Sequence, residues 1–232
     1  MKNLIFIPAR SGSKGIKNKN LSIINNKSLV EYTLEFALKI KKKFKNFDIL
    51  LSTDSRKIFS ITKEYDYDLN YFRPKTLSGD KSLVIDAILH GVEWYESNHC
   101  KIQNVLMLQP TNPYRKFKDF TNLIKQFSIL NQLPIVSVIK MKEHPNECVI
   151  CKNKKWEYLI KPKKNNYGRQ SYHQNYFFID GSYYMSNLDF LKKNKSFLVE
   201  NITSFFELSH NFPFDIDDKN DLELIRSFKF LK

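Results

Sequence analysis

Leu4-Ile5-Phe6-Ile7-Pro8-Ala9-Arg10-Ser11-Gly12-Ser13-Lys14-Gly15 is the stretch on which the reading turns. The apolar run Leu4 to Pro8 breaks abruptly into a polar, glycine-bearing loop, the pattern of a buried strand that ends in a ligand-facing turn. Gly12 and Gly15 let the backbone approach a ligand closely and adopt positive φ. Successive N–H groups in such a turn form an anion-binding concavity. Arg10 and Lys14 add fixed positive charge, and Lys19 adds more. An ammonium suits one phosphate oxygen, whereas a guanidinium grips two. The chemistry is that of a triphosphate cradle. The spacing matches neither Gly-x-x-x-x-Gly-Lys-Ser/Thr nor Gly-x-Gly-x-x-Gly, which argues against both common nucleotide loops. Gly-Ser-Lys-Gly by itself also fits an ordinary solvent loop; Pro8-Ala9-Arg10 before it and Lys19-Asn20 after it make the string specific.

Outward from the loop, strand-like and helix-like segments alternate. Ser28 to Lys41 carries Leu29, Tyr32, Thr33, Phe36, Ala37 and Ile40 at helical spacing. Asp48 to Thr53 is a second buried strand, ending in Asp54-Ser55. Lys57 to Glu64 is helical, Tyr67 to Phe72 extended into Arg73-Pro74, and Ser82 to Ser97 helical again. Asn104 to Leu108 is a strand that runs into Gln109-Pro110-Thr111-Asn112-Pro113. Asp119 to Leu130 is a helix and Pro134 to Ile139 a strand. Polar, motif-like residues repeatedly follow a strand's carboxyl end. That order predicts an α/β fold with a mostly parallel, doubly wound sheet whose ligands lie beyond those strand ends.

From Lys140 to Tyr176 the chain turns basic, Asn-rich and weakly periodic, which fits a mobile loop, a small hairpin layer or an arm that packs on a second copy. Regular structure resumes at Gly181 to Met185. Asp217 can cap a last helix that carries Leu222, Leu224, Ile225 and Phe228. With 232 residues and no linker or internal repeat, residues 1–232 are expected to form one domain.

Composition narrows the function classes. Hydrophobic residues make up 42% of the chain, with 19 Phe and 12 Tyr, ample for a closed core. No apolar run approaches the roughly 20 residues that cross a bilayer, and Pro8 and Arg10 interrupt the short apolar start, so a cytoplasmic protein is expected. The formal charge of +14 raises nucleic-acid binding as an alternative. Only six of the 38 basic residues are Arg, however, and the Lys are scattered among Asn, as on a solvated surface. Cys148-x-x-Cys151 lacks two further ligands at zinc spacing, and three cysteines suit a reducing compartment.

Ordered blocks over nearly the whole chain carry a resemblance. They are Ala9-Arg10-Ser11-Gly12-Ser13-Lys14-Gly15 with Lys19-Asn20; Thr53-Asp54; Arg73-Pro74 with Ser78 to Ser82; Leu108-Gln109-Pro110-Thr111-Asn112-Pro113-Tyr114-Arg115; Arg169-Gln170; Gly181-x-x-Tyr184; and Asp215-Ile216-Asp217 with Asp221-Leu222. In these the chain resembles the acylneuraminate cytidylyltransferase family, the CMP-sialic acid synthetases. The resemblance implies a Rossmann-like nucleotidyltransferase sheet, a homodimer with residues 140–176 as its arm, and a Mg²⁺-dependent reaction. In that reaction the anomeric hydroxyl of an acidic nine-carbon sugar, of sialic or legionaminic type, takes CMP from CTP and releases pyrophosphate. Pseudaminate and Kdo are the alternative sugars; Lys14-Gly15 is closer to the sialate and legionaminate members. Many relatives have Asn where this chain has Asp180, beside the part of the site that holds the sugar.

The resemblance implies the roles residue by residue. Arg10, Lys14 and Lys19, with the Gly12-Ser13 backbone, would hold the triphosphate, and Arg73 the nucleotide or leaving group. Asn20, Ser78 and Ser82 would touch the cytidine. Gln109 and Arg169 would address the sugar, Arg169 by a bidentate grip on its carboxylate, with Tyr184 and Phe197 against its carbon skeleton. Asp215 and Asp217, two apart on an extended stretch, share a face and suit Mg²⁺. Asp217 could alternatively accept the sugar hydroxyl's proton, or only cap the last helix. Arg10, Lys14 and Asp217 form the expected catalytic set.

Overall fold

The computed structural model describes residues 2–13, 15–67, 70–161 and 175–228. Its centre is a six-stranded sheet. The first strand is β1 (Lys2–Pro8); after it come the short pair β2 (Ile23–Ile24) and β3 (Lys27–Ser28), then α1 (Leu29–Lys43), β4 (Phe47–Ser52) and α2 (Arg56–Thr62). Next are α3 (Val84–Asn98), β5 (Ile102–Met107), α4 (Phe117–Ile129) and β6 (Ile135–Lys140). A hairpin, β7 (Val149–Lys152) and β8 (Lys155–Tyr158), precedes β9 (Phe177–Asn187), α5 (Leu188–Asn194), β10 (Ser204–Glu207) and α6 (Lys219–Ser227).

Across the sheet the order is β10-β6-β9-β5-β1-β4. β1 runs parallel to both β4 and β5, and β10 parallel to β6. Only β9 is antiparallel to its neighbours, β5 and β6. The chain leaves β1 for β4 on one side and then crosses to β5 on the other, so the switch in strand order falls between β1 and β5. In open α/β sheets that crevice is where ligands bind.

The side chains of β1 show why helices cover both faces. Ile5 and Ile7 join Val30, Leu34 and Ala37 of α1 with Phe120 and Leu123 of α4. Leu4 and Phe6 point the other way, to Ile88 and Val92 of α3 and Leu188 and Leu191 of α5. Period-two alternation on a strand buried on both sides produces the doubly wound layer. Each such Leu, Ile or Phe contributes about 1.5–3 kcal/mol by burial. Ser28 starts α1 with a capping box to Glu31, while Lys41, Lys42 and Lys43 sit in its last turn, complementing the helix dipole.

A third cluster decides where the chain's end lies. Ile16 and Ile24, from the segment after β1, pack with Phe214, Ile216, Leu222 and Ile225. This brings the 215–217 segment back against the opening loop. Within the basic segment β7 and β8 pair as an antiparallel hairpin; residues 162–174 of the expected arm lie outside the described residues. The helix cap is corrected: Asp218, not Asp217, caps α6, accepting from the N–H groups of Asn220 and Asp221. α5 and β10, which the pattern reading does not anticipate, complete the sheet's β10 edge and one helical layer. Among the described residues no helix is long and apolar enough to cross a membrane.

Candidate active site

The carboxyl ends of β1 and β5 open into a cleft of about 310 Å³ lined by the opening loop, the turn after β5 and the 215–217 segment. Arg10, Gly12, Ser13, Lys19, Asn20, Arg73, Ser82, Gln109, Asp215 and Asp217 all line it. Lys14 and Arg169 lie outside the described residues. A hollow of about 530 Å³ at the opposite end of β5 is lined by Glu96, Lys101 and Lys192, and both ammonium groups there already face Glu96.

The loop after β1 is held from three sides. Asp54, at the end of β4, accepts from the Ser11 N–H and the Ser11 hydroxyl, both at 2.7 Å. Asn20 donates to the Arg10 carbonyl at 2.9 Å. The Arg10 guanidinium reaches across the cleft mouth to the Ser78 carbonyl (3.2 Å) and the Asp80 carboxylate (3.1 Å). That ion pair is partly exposed and therefore weak, so an anion of higher charge can replace Asp80. A side chain on Gly15 would run into the Asp217 carbonyl oxygen, so loop and C-terminal segment meet backbone to backbone.

Several expected nucleotide contacts are already engaged within the protein. Lys19 donates to the Ile216 carbonyl at 2.8 Å and pairs with Asp217 at 3.0 Å, thereby tethering the acidic segment. Arg73 is only 3% exposed, and its guanidinium donates to the Ser52 hydroxyl and carbonyl. Burial lowers its proton affinity, countered by Tyr71 and Asp54. The Ser82 hydroxyl turns to the Thr76 carbonyl. Ser78 is not part of the cleft lining: its hydroxyl donates to the Pro74 carbonyl.

The acidic segment follows the alternation expected of an extended chain. Ile216 is fully buried and its N–H donates to the Thr111 carbonyl at 2.9 Å, leaving Asp215 and Asp217 to the cleft. Burial raises the Asp215 carboxyl above the usual carboxylate range, opposed by a hydrogen bond from Thr111. Its Oδ1 is buried without a hydrogen-bond partner among the described residues. A buried, unpartnered carboxylate oxygen beside a second, exposed carboxylate is a donor set that fits Mg²⁺, which takes few protein oxygens and keeps waters. Among the described residues no group of three or more His, Cys, Asp or Glu forms a closed metal cage.

Gln109, Leu83 and Val84 are shared with a second chamber of about 270 Å³, walled by Met107, Tyr184, Phe197 and Leu198. Tyr184 and Phe197 meet edge to face at 5.7 Å. Three of the residues expected to address a sugar, Gln109, Tyr184 and Phe197, are thus gathered next to the cleft at the strand ends. Asp180 does not face this chamber; it is fully buried behind it. Sequence reasoning did not single out Thr111, Leu83 and Val84, nor the anchoring duties of Asp54 and Asp80. Thr111 and the two Asp lie inside motif blocks, so their positions were visible and their partners were not. Leu83 is 63% exposed, and nothing in its local pattern marks it as cleft lining.

Comparison with known proteins agrees with this geometry. A family model described as cytidylyltransferase matches residues 4–228. The chain is 28% identical over 221 residues to the N-acylneuraminate cytidylyltransferase of Streptococcus agalactiae, covering 95% of this chain but 52% of that protein. It is 27% identical over 225 residues to the CMP-N,N'-diacetyllegionaminic acid synthase of Legionella pneumophila, covering 97% and 94% of the two. This chain therefore spans about half the length of the first relative and nearly all of the second. Among solved structures, a CMP:2-keto-3-deoxy-manno-octonic acid synthetase complexed with CTP superposes with a TM-score of 0.68 at 18% identity, covering 98% of each chain. That likeness is one of fold.

Proposed function

The chain belongs to the cytidylyltransferase family, and from that premise we propose that it joins CMP from CTP to the anomeric hydroxyl of an acidic nonulosonic sugar of sialic or legionaminic type, releasing pyrophosphate. One observation carries the reading. A single crevice at the strand-order switch gathers Arg10 and Lys19, the carboxylates of Asp215 and Asp217, and Gln109 at the entrance to an apolar chamber. Cations beside paired carboxylates suit a nucleotide triphosphate, and the adjoining chamber suits the carbon skeleton of a second substrate.

The reaction needs an oxygen nucleophile brought in line with an anionic phosphorus while charge builds on the leaving pyrophosphate. Arg10 exchanges Asp80 for a phosphate oxygen, and Lys14 of the same loop supplies a second cation. Gln109 holds the sugar at the mouth of its chamber, with Arg169 on the sugar carboxylate. Asp215 and Asp217 would hold Mg²⁺, which when bound neutralises phosphate charge. Lys19 keeps their segment in place.

A homodimer is part of the proposal. Trp156 and Tyr158 on β8 and Phe177 and Phe178 on β9 are exposed. Phe177, Ile179 and Phe205 line an apolar hollow at the sheet edge. Exposed aromatic side chains beside an apolar hollow suit an association site. The proposed place of action is the cytoplasm, in keeping with three free cysteines.

The test incubates the protein with CTP, Mg²⁺ and a panel of sialic, legionaminic, pseudaminic and Kdo acids, and measures pyrophosphate. Release with a sialic- or legionaminic-type acid is expected. Release with pseudaminate or Kdo alone would change the sugar and keep the chemistry. No release with any acidic sugar, together with tight and salt-sensitive nucleic-acid binding, would replace the reading with that of a basic binding protein.

A further inference from the structure

Asp180 is a carboxylate with no exposed surface and no part in the cleft lining. Burying such a group costs several kcal/mol unless hydrogen bonds compensate. Here they do. Its Oδ1 accepts from the Ser137 hydroxyl at 2.6 Å. Its Oδ2 accepts from the Asn112 amide at 3.2 Å and from the Ser182 hydroxyl. Asn112 also donates to the Asp180 carbonyl at 2.9 Å. The carboxylate therefore ties together three elements: the turn after β5 through Asn112, β6 through Ser137, and its own strand β9 through Ser182.

The tied turn is the one that presents Gln109. The Asn112 N–H donates to the Gln109 carbonyl at 3.2 Å, and Arg115 donates to the same oxygen at 2.6 Å. Arg115 also donates to the Ser182 carbonyl at 3.0 Å, and Asp180 is one of the negative groups supporting its charge against burial. Gly181 adopts φ +80°, and a Cβ there would stand 2.9 Å from the Gln109 side-chain oxygen. The Gln109 amide is thus seated on the residue next to Asp180, while its carbonyl is gripped by two partners of the same network.

We propose that Asp180 is a positioning residue for Gln109, its buried carboxylate locking the turn after β5 onto β9 so that the Gln109 amide faces the acidic sugar. The inference rests on the function proposed above. It assigns Asp180 a larger effect on the sugar than on CTP, because its hydrogen bonds reach neither the loop after β1 nor Arg73. It meets the nucleotide side only through its charge on Asp215 and the seat of Gly181 beside that carboxylate. Hydrogen-bond capacity also predicts which substitution is tolerated. An Asn at 180 can accept from Asn112 and Ser182 with its one oxygen and donate its amide to the Ser137 oxygen. The Ser137 hydroxyl then turns to the Tyr183 carbonyl, already 3.3 Å away.

The experiment is steady-state kinetics for both substrates in Asp180→Ala, Asp180→Asn and the milder Ser182→Ala, each in the native and the Gln109→Ala background. Asp180→Ala is expected to lower kcat/KM for the sugar about tenfold, with KM for CTP changed less than about twofold, as a misplaced positioning group does. Asp180→Asn should stay within about threefold of the native enzyme, because its hydrogen bonds are conserved. With Gln109 already truncated, Asp180→Ala should add less than about twofold, the signature of groups acting through one another. Ser182→Ala should show the same selectivity at smaller size, and it decides the matter if Asp180→Ala does not fold. Equal effects on both substrates, an unchanged penalty in the Gln109→Ala background, or lowered Tm with native kinetics would each overturn the inference. A native protein that releases no pyrophosphate with any acidic sugar removes the proposed function and this inference with it. Turnover in the native protein with the wrong pattern in the variants removes the inference alone.

Discussion

At Asp217 and Asp218 one peptide bond separates a carboxylate that faces the cleft from one that starts a helix. Asp218 satisfies the N–H groups of Asn220 and Asp221, so Asp217 has no capping duty and is tied instead to Lys19. The pair therefore makes a controlled comparison. Asp217→Asn should lower kcat for pyrophosphate release by about 100-fold or more, the size of losing one electrostatic group at a reacting phosphate. Asp218→Ala should lower stability by about 1 kcal/mol in a denaturant titration while kcat is retained. Native turnover in Asp217→Asn would remove that residue from the chemistry. Which of two adjacent Asp takes the cap depends on backbone φ and ψ, and the string Asp215-Ile216-Asp217-Asp218 does not reveal them. The motif was legible in the sequence, but the division of labour inside it was not.

Elements position the opening loop more than the loop positions itself. Its conformation depends on Asp54 at the end of β4, which holds Ser11 by both backbone and hydroxyl. Removing that acceptor leaves two donors unmade, at about 1–3 kcal/mol. Asp54→Ala is therefore expected to raise KM for CTP about tenfold, with a smaller change for the sugar; the opposite order would place Asp54 elsewhere in the mechanism. The helices behave differently. Leu34 of α1 is fully buried in one core cluster with Ile5 and Ile7 of β1 and does not line the cleft. Leu34→Ala should cost about 2–5 kcal/mol of stability, read from denaturant midpoints, with both KM values unchanged. Helix and strand identities were legible because burial imposes periods of 3.6 and 2 on the sequence. β10 escaped because only four residues, Ser204–Glu207, form an edge strand with alternate side chains exposed.

Exposed apolar surface and sheet topology are properties of the whole molecule. Exposed Trp156 on β8 and Phe178 on β9 belong to the surface proposed to meet a second copy. Trp156→Asp with Phe178→Asp should convert a dimer into a monomer in sedimentation at micromolar concentration, because charge on a buried apolar contact is strongly unfavourable. An unchanged mass would place the interface elsewhere. The sequence by itself determined the alternation of strands and helices, the two-faced burial of β1, and the cationic, amide and carboxylate residue types that follow the strand ends: each is a local pattern of period, polarity and glycine placement. Tertiary structure alone decided that β9 enters antiparallel between β5 and β6, that α6 returns Asp215 and Asp217 to the opening loop, and that Asp180 sits behind Gln109 instead of in the pocket. These depend on contacts between residues far apart in the chain, such as Asn112 with Asp180 and Lys19 with Asp217, whose partners are selected by packing and hydrogen-bond satisfaction and leave no periodic trace in the sequence.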